Sequence, residues 1–145
     1  MKRFFLLIFP LLLTTAFYAQ VTTADFEGKT SVYFVDGIKV EKNLSEENKS
    51  RILKAFVKLL NGNWKDDSLN YIVKYNLSEI TYEGTSVIPK ELNIGPINVR
   101  LDIIEGKLSL ITADLRSIDR DTSNILINKN KLIVGNQSYT RQKSN

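Results

Sequence analysis

The stretch INVRLDIIEGKLSLITADL, residues 97–115, alternates apolar and polar side chains on both sides of Glu105-Gly106. A period of two sends successive side chains to opposite faces of a strand, so this is a β-hairpin with one face for a core and one for water. Pairing about the Gly turn sets Ile103 opposite Leu108, Leu101 opposite Leu110, Val99 opposite Thr112 and Ile97 opposite Asp114. A two- or four-residue loop gives the same register. The other face holds Asn98, Arg100, Asp102 and Ile104 against Lys107, Ser109, Ile111 and Ala113. Arg100 and Asp102 there read as a solvated charge pair worth under about 1 kcal/mol. Asp114 falls on the apolar side at its far end, so it is the charge of the hairpin singled out as a ligand or partner contact.

Such an apolar face needs a cover, and the chain encodes one amphipathic helix. Ser45 can cap it, Glu46 and Glu47 suit the positive end of its dipole, and Asn61-Gly62 marks its stop. Ile52, Leu53, Phe56, Leu59 and Leu60 recur on one face, with Lys49, Arg51, Lys54 and Lys58 elsewhere. Before the helix, Asp36-Gly37 separates two short β-prone runs, residues 31–35 and 38–42, as a two-residue hairpin turn does. After it, residues 63–68 read as a turn-rich connector anchored by Trp64. Leu69, Tyr71, Val73, Tyr75 and Leu77 then line one strand face. A second strand, residues 80–88, contains Gly84, which suggests a bulge or a close backbone approach, and Pro89 ends it. Residues 90–96 read as a loop. Short strands at 124–127 and 132–135 flank a polar turn at Lys129-Asn130. The predicted fold class is therefore α+β: one main helix packed on a twisted antiparallel sheet of five to eight short strands, in two layers.

The chain opens with MKRFFLLIFPLLLTTAFYAQ. Lys2 and Arg3 precede an apolar run, residues 4–13, whose length suits a signal core of roughly 7–15 residues and not a bilayer span of roughly 18 or more. Cleavage is expected after Ala19, with Ala16 as the alternative cut. The domain layout is then a signal peptide at 1–19, a lead-in at 20–30, one α+β domain at 31–140 and a frayed tail at 141–145. The expected location is secreted or periplasmic, with no integral membrane segment after cleavage. Two of the twenty basic residues leave with the leader, so eighteen face sixteen acids and the mature chain is nearly neutral. The remaining asymmetry is local. Residues 122–145 carry Lys129, Lys131, Arg141 and Lys143 and no acid; they are candidates for contact with an anionic surface, beside the plainer reading of a solvated end.

The chemistry is bounded by what is missing. The chain has no His and no Cys, and so lacks the commonest general base, the thiol nucleophile, the usual zinc ligands, disulfides and any lipid carried on cysteine. A metal could use oxygen ligands only, but Asp66-Asp67 and Asp119-Arg120-Asp121 lie in apparent turns, where Asp bonds its own backbone. A calcium loop would want more alternating oxygens. No phosphate-loop, dinucleotide or nucleophile-elbow motif occurs. No catalytic, cofactor-binding or metal residue is therefore assigned. Tyr71 and Tyr75, two apart on one strand face, can stack on a ligand, although Tyr is also simply a good strand residue. Trp64 reads as a core lid or a ligand contact.

From the helix through the hairpin, Trp64, Ile80, Gly84, Val99, Leu101, Gly106 and Leu110 stand in an order that resembles a bacterial envelope family of unknown function with a TATA-binding-protein-like fold. The resemblance covers about half the chain. It implies an envelope location and brings no catalytic residue, and the fold name does not imply nucleic-acid binding. The expected function is a non-enzymatic binding or interaction module of the cell envelope, its partner an envelope protein or an anionic surface. The alternatives are a carrier of a small apolar ligand between helix and sheet, and an enzyme using carboxylates or a Ser-Lys pair.

Overall fold

The computed structural model describes residues 21–23, 33–88, 96–113 and 120–143. Strands β1 (Val21–Thr23), β2 (Tyr33–Val35) and β3 (Ile38–Lys39) form a small antiparallel sheet. Helix α1 (Glu46–Leu60) follows. Then come β4 (Gly62–Asp66), β5 (Ile72–Leu77), β6 (Glu83–Val87), β7 (Ile97–Ile104), β8 (Lys107–Ala113), β9 (Arg120–Ile127), β10 (Lys131–Val134) and β11 (Gln137–Arg141). Each of these eight strands pairs antiparallel with the next, and β11 pairs back onto β4 through Tyr139↔Asp66, Thr140↔Lys65 and Arg141↔Trp64. The result is a closed up-and-down barrel.

This overturns the expected two-layer α+β arrangement of a helix on an open sheet. Two segments account for the difference. Residues 62–66, which read as part of a turn-rich connector, are a strand, and residues 137–141 add a strand that the sequence pattern did not mark. Together they supply the seam that removes both sheet edges, and a closed sheet leaves the helix no free inner face to cover. Strand β9 also begins at Arg120, inside a segment that read as a turn.

The local readings fare better. Ser45 caps α1, its Oγ accepting from the Asn48 backbone N–H at 3.1 Å. The turns at Asp36-Gly37 and Glu105-Gly106 both take positive φ at their two central residues, as tight hairpins require. The β7–β8 register is the one the alternation predicts, including Leu101↔Leu110 and Val99↔Thr112. Ile97 opposite Asp114, Pro89 and most of the 90–96 loop lie outside the described residues.

Because consecutive strands run in opposite directions, one end of the barrel gathers the start of β4, the end of β5, the start of β6 and the end of β7. Helix α1 lies along that end. Asn61 exchanges two hydrogen bonds with the Leu77 backbone, Ser50 bonds Tyr82, and Lys49 pairs with Asp102 at 3.1 Å. Asp102 therefore answers Lys49 of the helix, not Arg100 as the sequence suggested. The helix turns Ile52, Phe56, Val57 and Leu60 fully inward, against barrel residues such as Leu101, Ile127 and Leu132. Hairpin β2–β3 completes the seal: the Tyr33 ring meets Phe56 edge-on at 5.1 Å, and its hydroxyl accepts from the buried Ile127 N–H at 2.7 Å. Full burial of each such apolar side chain is worth about 1.5–3 kcal/mol.

Candidate functional site

The other end of the barrel gathers the end of β4, the starts of β5 and β7, and the β10–β11 turn, and its interior is more polar. Asp66, Tyr75, Tyr139 and Ser86 are all buried there or just below it, with Tyr71 half-buried beside them. The register explains the grouping: Tyr139 stands opposite Asp66, Tyr75 opposite Ser86, and the Asp66 N–H donates to the Tyr71 carbonyl. The Tyr71 hydroxyl interacts with both the Asp66 carboxylate and the Tyr139 hydroxyl, and Tyr139 in turn donates to Gln137 Oε1 at 2.6 Å.

Asp66 shows why an aspartate stands inside a barrel. Its Oδ1 accepts from the Ser68 and Leu69 backbone N–H groups, both at 2.8 Å, and from Ser68 Oγ at 3.2 Å. These bonds, the Leu69 N–H first, hold its carboxyl below the usual range against the opposing effect of burial. The tyrosines move the other way: burial raises Tyr71 and Tyr139 and pushes Tyr75 up to about 12. At neutral pH this end of the interior thus presents neutral phenol hydroxyls around one fixed negative charge. Such a set can orient a ligand by hydrogen bonds, and it contains no group poised to lose a proton near neutrality. Among the described residues, no cluster of three acidic side chains is placed to hold a metal ion.

Of the residues singled out by sequence, Tyr71 and Tyr75 do share this place, but Leu69, expected on the same face, is 66 % exposed in the turn before β5. Trp64 lies deeper and is fully buried. Asp114 lies outside the described residues. Asp66, Gln137 and Tyr139 were missed; the first stood in an apparent turn, and the others in a segment with one inward aromatic and no longer pattern.

Comparison of the chain with models of protein families, with curated proteins and with solved structures finds no match to any of them. The resemblance carried by Trp64, Gly84 and the hairpin is neither supported nor opposed by these comparisons.

The four basic residues near the C-terminus divide. Lys129, in the β9–β10 turn, and Lys143 are exposed. Arg141 is engaged: its guanidinium lies 4.1 Å from the Trp64 ring, and it donates to the Leu59, Asn61 and Lys129 carbonyls. Lys131 bonds Asp67, which also accepts from Ser138 Oγ at 2.8 Å and Thr140 Oγ1 at 2.7 Å on the outside of the barrel. Lys131 foremost, then these hydroxyls, hold the Asp67 carboxyl down at about 2, from an ordinary 3.8. A depressed folded value means the stabilisation is complete above about pH 4 and fades as pH falls through about 2. With both side chains about a third exposed, solvent screening keeps it near or under about 1 kcal/mol. Asp67→Asn should therefore lower the urea midpoint at pH 7, and the gap from wild type should close between pH 4 and pH 2; a gap that stays constant with pH would dissociate Asp67 from this effect.

Proposed function

We propose that the protein is a non-enzymatic, exported binding module of the cell envelope, and that it recognises its ligand or partner at the barrel end opposite α1. The observation that carries this reading is the polar group of buried Asp66 and Tyr139, half-buried Tyr71 and exposed Gln137 at one end of a barrel whose other end is sealed by the helix and the β2–β3 hairpin. Eight-stranded barrels have an interior just wide enough to be filled by side chains or to admit one small ligand. The ligand chemistry that fits is a polar head that donates to the phenol oxygens and the Asp66 carboxylate, with an apolar body toward Val73 and Tyr75. The helix-covered end, packed by Phe56, Leu60 and Trp64, offers such a body no comparable polar group.

The export reading rests on the leader-like residues 1–19. A water-facing barrel is supported by its outer surface. The outward positions Lys74, Asn76, Asn98, Arg100, Asp102 and Lys107 are polar and interrupt the exposed apolar Ile72, Val87 and Ile104, and the longest strands, β7 and β9, have 8 residues against roughly 9–11 for a membrane-spanning strand. No helix among the described residues is long and apolar enough to cross a membrane. The lack of His and Cys supports the non-enzymatic reading.

The test is mass spectrometry of the mature protein purified from its own host, intact and after denaturing extraction. A stoichiometric companion is expected on wild type, and its loss on the Tyr71→Phe/Tyr139→Phe double variant, which removes two hydroxyls and keeps both rings. A companion retained in full by the double variant, or none on the wild type, would overturn the assignment to this end.

A further inference from the structure

Outside the barrel, a groove of about 590 Å³ crosses β6, β7, β8 and β9, with Arg100 and Arg120 in its walls and Ile111 and Ala113 between them. The strand register builds it. Arg100 stands opposite Ile111 and Arg120 opposite Ala113, so the two arginines sit on strands separated by β8 and all four side chains share the outer face. Neither arginine makes an ion pair with a described residue. Arg100 Nε is moreover buried with no hydrogen-bond partner. A buried polar donor without an acceptor is rare in native proteins, and Arg100, only partly buried itself, keeps the rest of its guanidinium for an acceptor from outside the chain.

We infer that this groove binds a small extended dianion, such as an α,ω-dicarboxylate, with one anionic end on Arg100, the other on Arg120 and its methylenes over Ile111 and Ala113. Two strand steps and a two-residue offset separate the Arg100 and Arg120 Cα atoms by about 12 Å, with Ile111 and Ala113 on the outer face between them, so an extended dianion can hold both forks while its methylenes cover this apolar floor. The closed barrel has no free edge for a peptide to extend as a strand, and the volume is that of a small-molecule site. Glu83, opposite Arg100 on β6, also lines the groove and opposes an anion there. Because the groove lies outside the barrel, the inference is independent of the function proposed for its interior.

Calorimetric titration of the mature protein with suberate, octanoate and succinate tests it. Suberate is expected to bind about tenfold or more tightly than octanoate, which has one anionic head, and than succinate, which has too few methylenes to cover Ile111 and Ala113. Arg100→Gln and Arg120→Gln should each bring suberate down to the level of octanoate, an effect of about tenfold as befits one charge-assisted contact. Glu83→Gln should tighten binding, and Tyr71→Phe/Tyr139→Phe should leave it unchanged. Suberate binding no better than octanoate, or unaffected by Arg120→Gln in a protein that melts like wild type, would overturn the inference.

Discussion

Gly84→Ala is expected to cost more than about 3 kcal/mol, or to prevent folding, although it adds one methyl group. Gly84 lies on β6 between Leu77 of β5 and Val99 of β7. A Cβ built there would stand 1.9 Å from the Asn76 carbonyl oxygen and 2.6 Å from Leu77 Cα. Both neighbours are backbone, so no side chain can turn aside. Relief requires β5 and β6 to separate, and in a closed barrel that displacement is passed to the other seams. Overpacking a core with room to adjust costs about 1–3 kcal/mol; here the obstacle is the hydrogen-bonded ladder, which places the substitution in the upper tail of single-residue effects. Urea denaturation against Thr85→Ala measures it. Thr85 is the next residue, faces outward, and should change stability by about 0.5 kcal/mol or less. If the two variants were equally stable, the close approach of β5 and β6 would be wrong.

That close approach was half legible in the sequence, where a Gly inside a strand offered either a bulge or a near backbone. Other features written in adjacent residues were legible in full: the Ser45 cap, the Asp36-Gly37 turn and the β7–β8 register each lie within one continuous stretch of the chain. The closure of the barrel was not. Strand β4 is GNWKD, whose Gly, Asn and Asp are turn formers, and β11 is QSYTR, with Tyr139 as its large aromatic residue. Each supplies one large inward side chain, too few to show a period of two. What makes them strands is their pairing with each other, from opposite ends of the barrel's sequence, and with β5 and β10. The same cause limited the candidate site. Tyr71 and Tyr75 share a strand face and could be read together, whereas Tyr139 reaches them only across the seam. Arg141 read as part of a loose basic end because nothing local places it over Trp64. The helix was correctly seen to need a partner for its apolar face; it finds the end of a barrel where an open sheet would have offered a side.

Trp64→Ala is expected to cost about 3–5 kcal/mol, the range for removing a large buried aromatic, because this one ring joins the three elements that close the barrel. It is fully buried on β4, and its Nε1 donates to the Leu60 carbonyl at 2.7 Å, so it satisfies an acceptor left over at the end of α1. From β11, Arg141 packs on the ring while its guanidinium takes up the Leu59 and Asn61 carbonyls. Helix end, first strand and last strand are thus fastened by two side chains in contact. Their coupling should appear in a double-mutant cycle: Trp64→Ala/Arg141→Ala is expected to be less destabilising than the sum of the single changes, by about 0.5–2 kcal/mol. Trp64→Phe separates the two parts of the role. It keeps most of the apolar volume and a ring for Arg141 but leaves the Leu60 carbonyl unpaired, so a smaller loss of about 1–3 kcal/mol is expected. Urea midpoints of the four variants and the wild type decide the matter. A Trp64→Ala protein within about 1 kcal/mol of wild type would show that the seam does not depend on this residue, and would return Trp64 to the ligand-contact role that its sequence position also allowed.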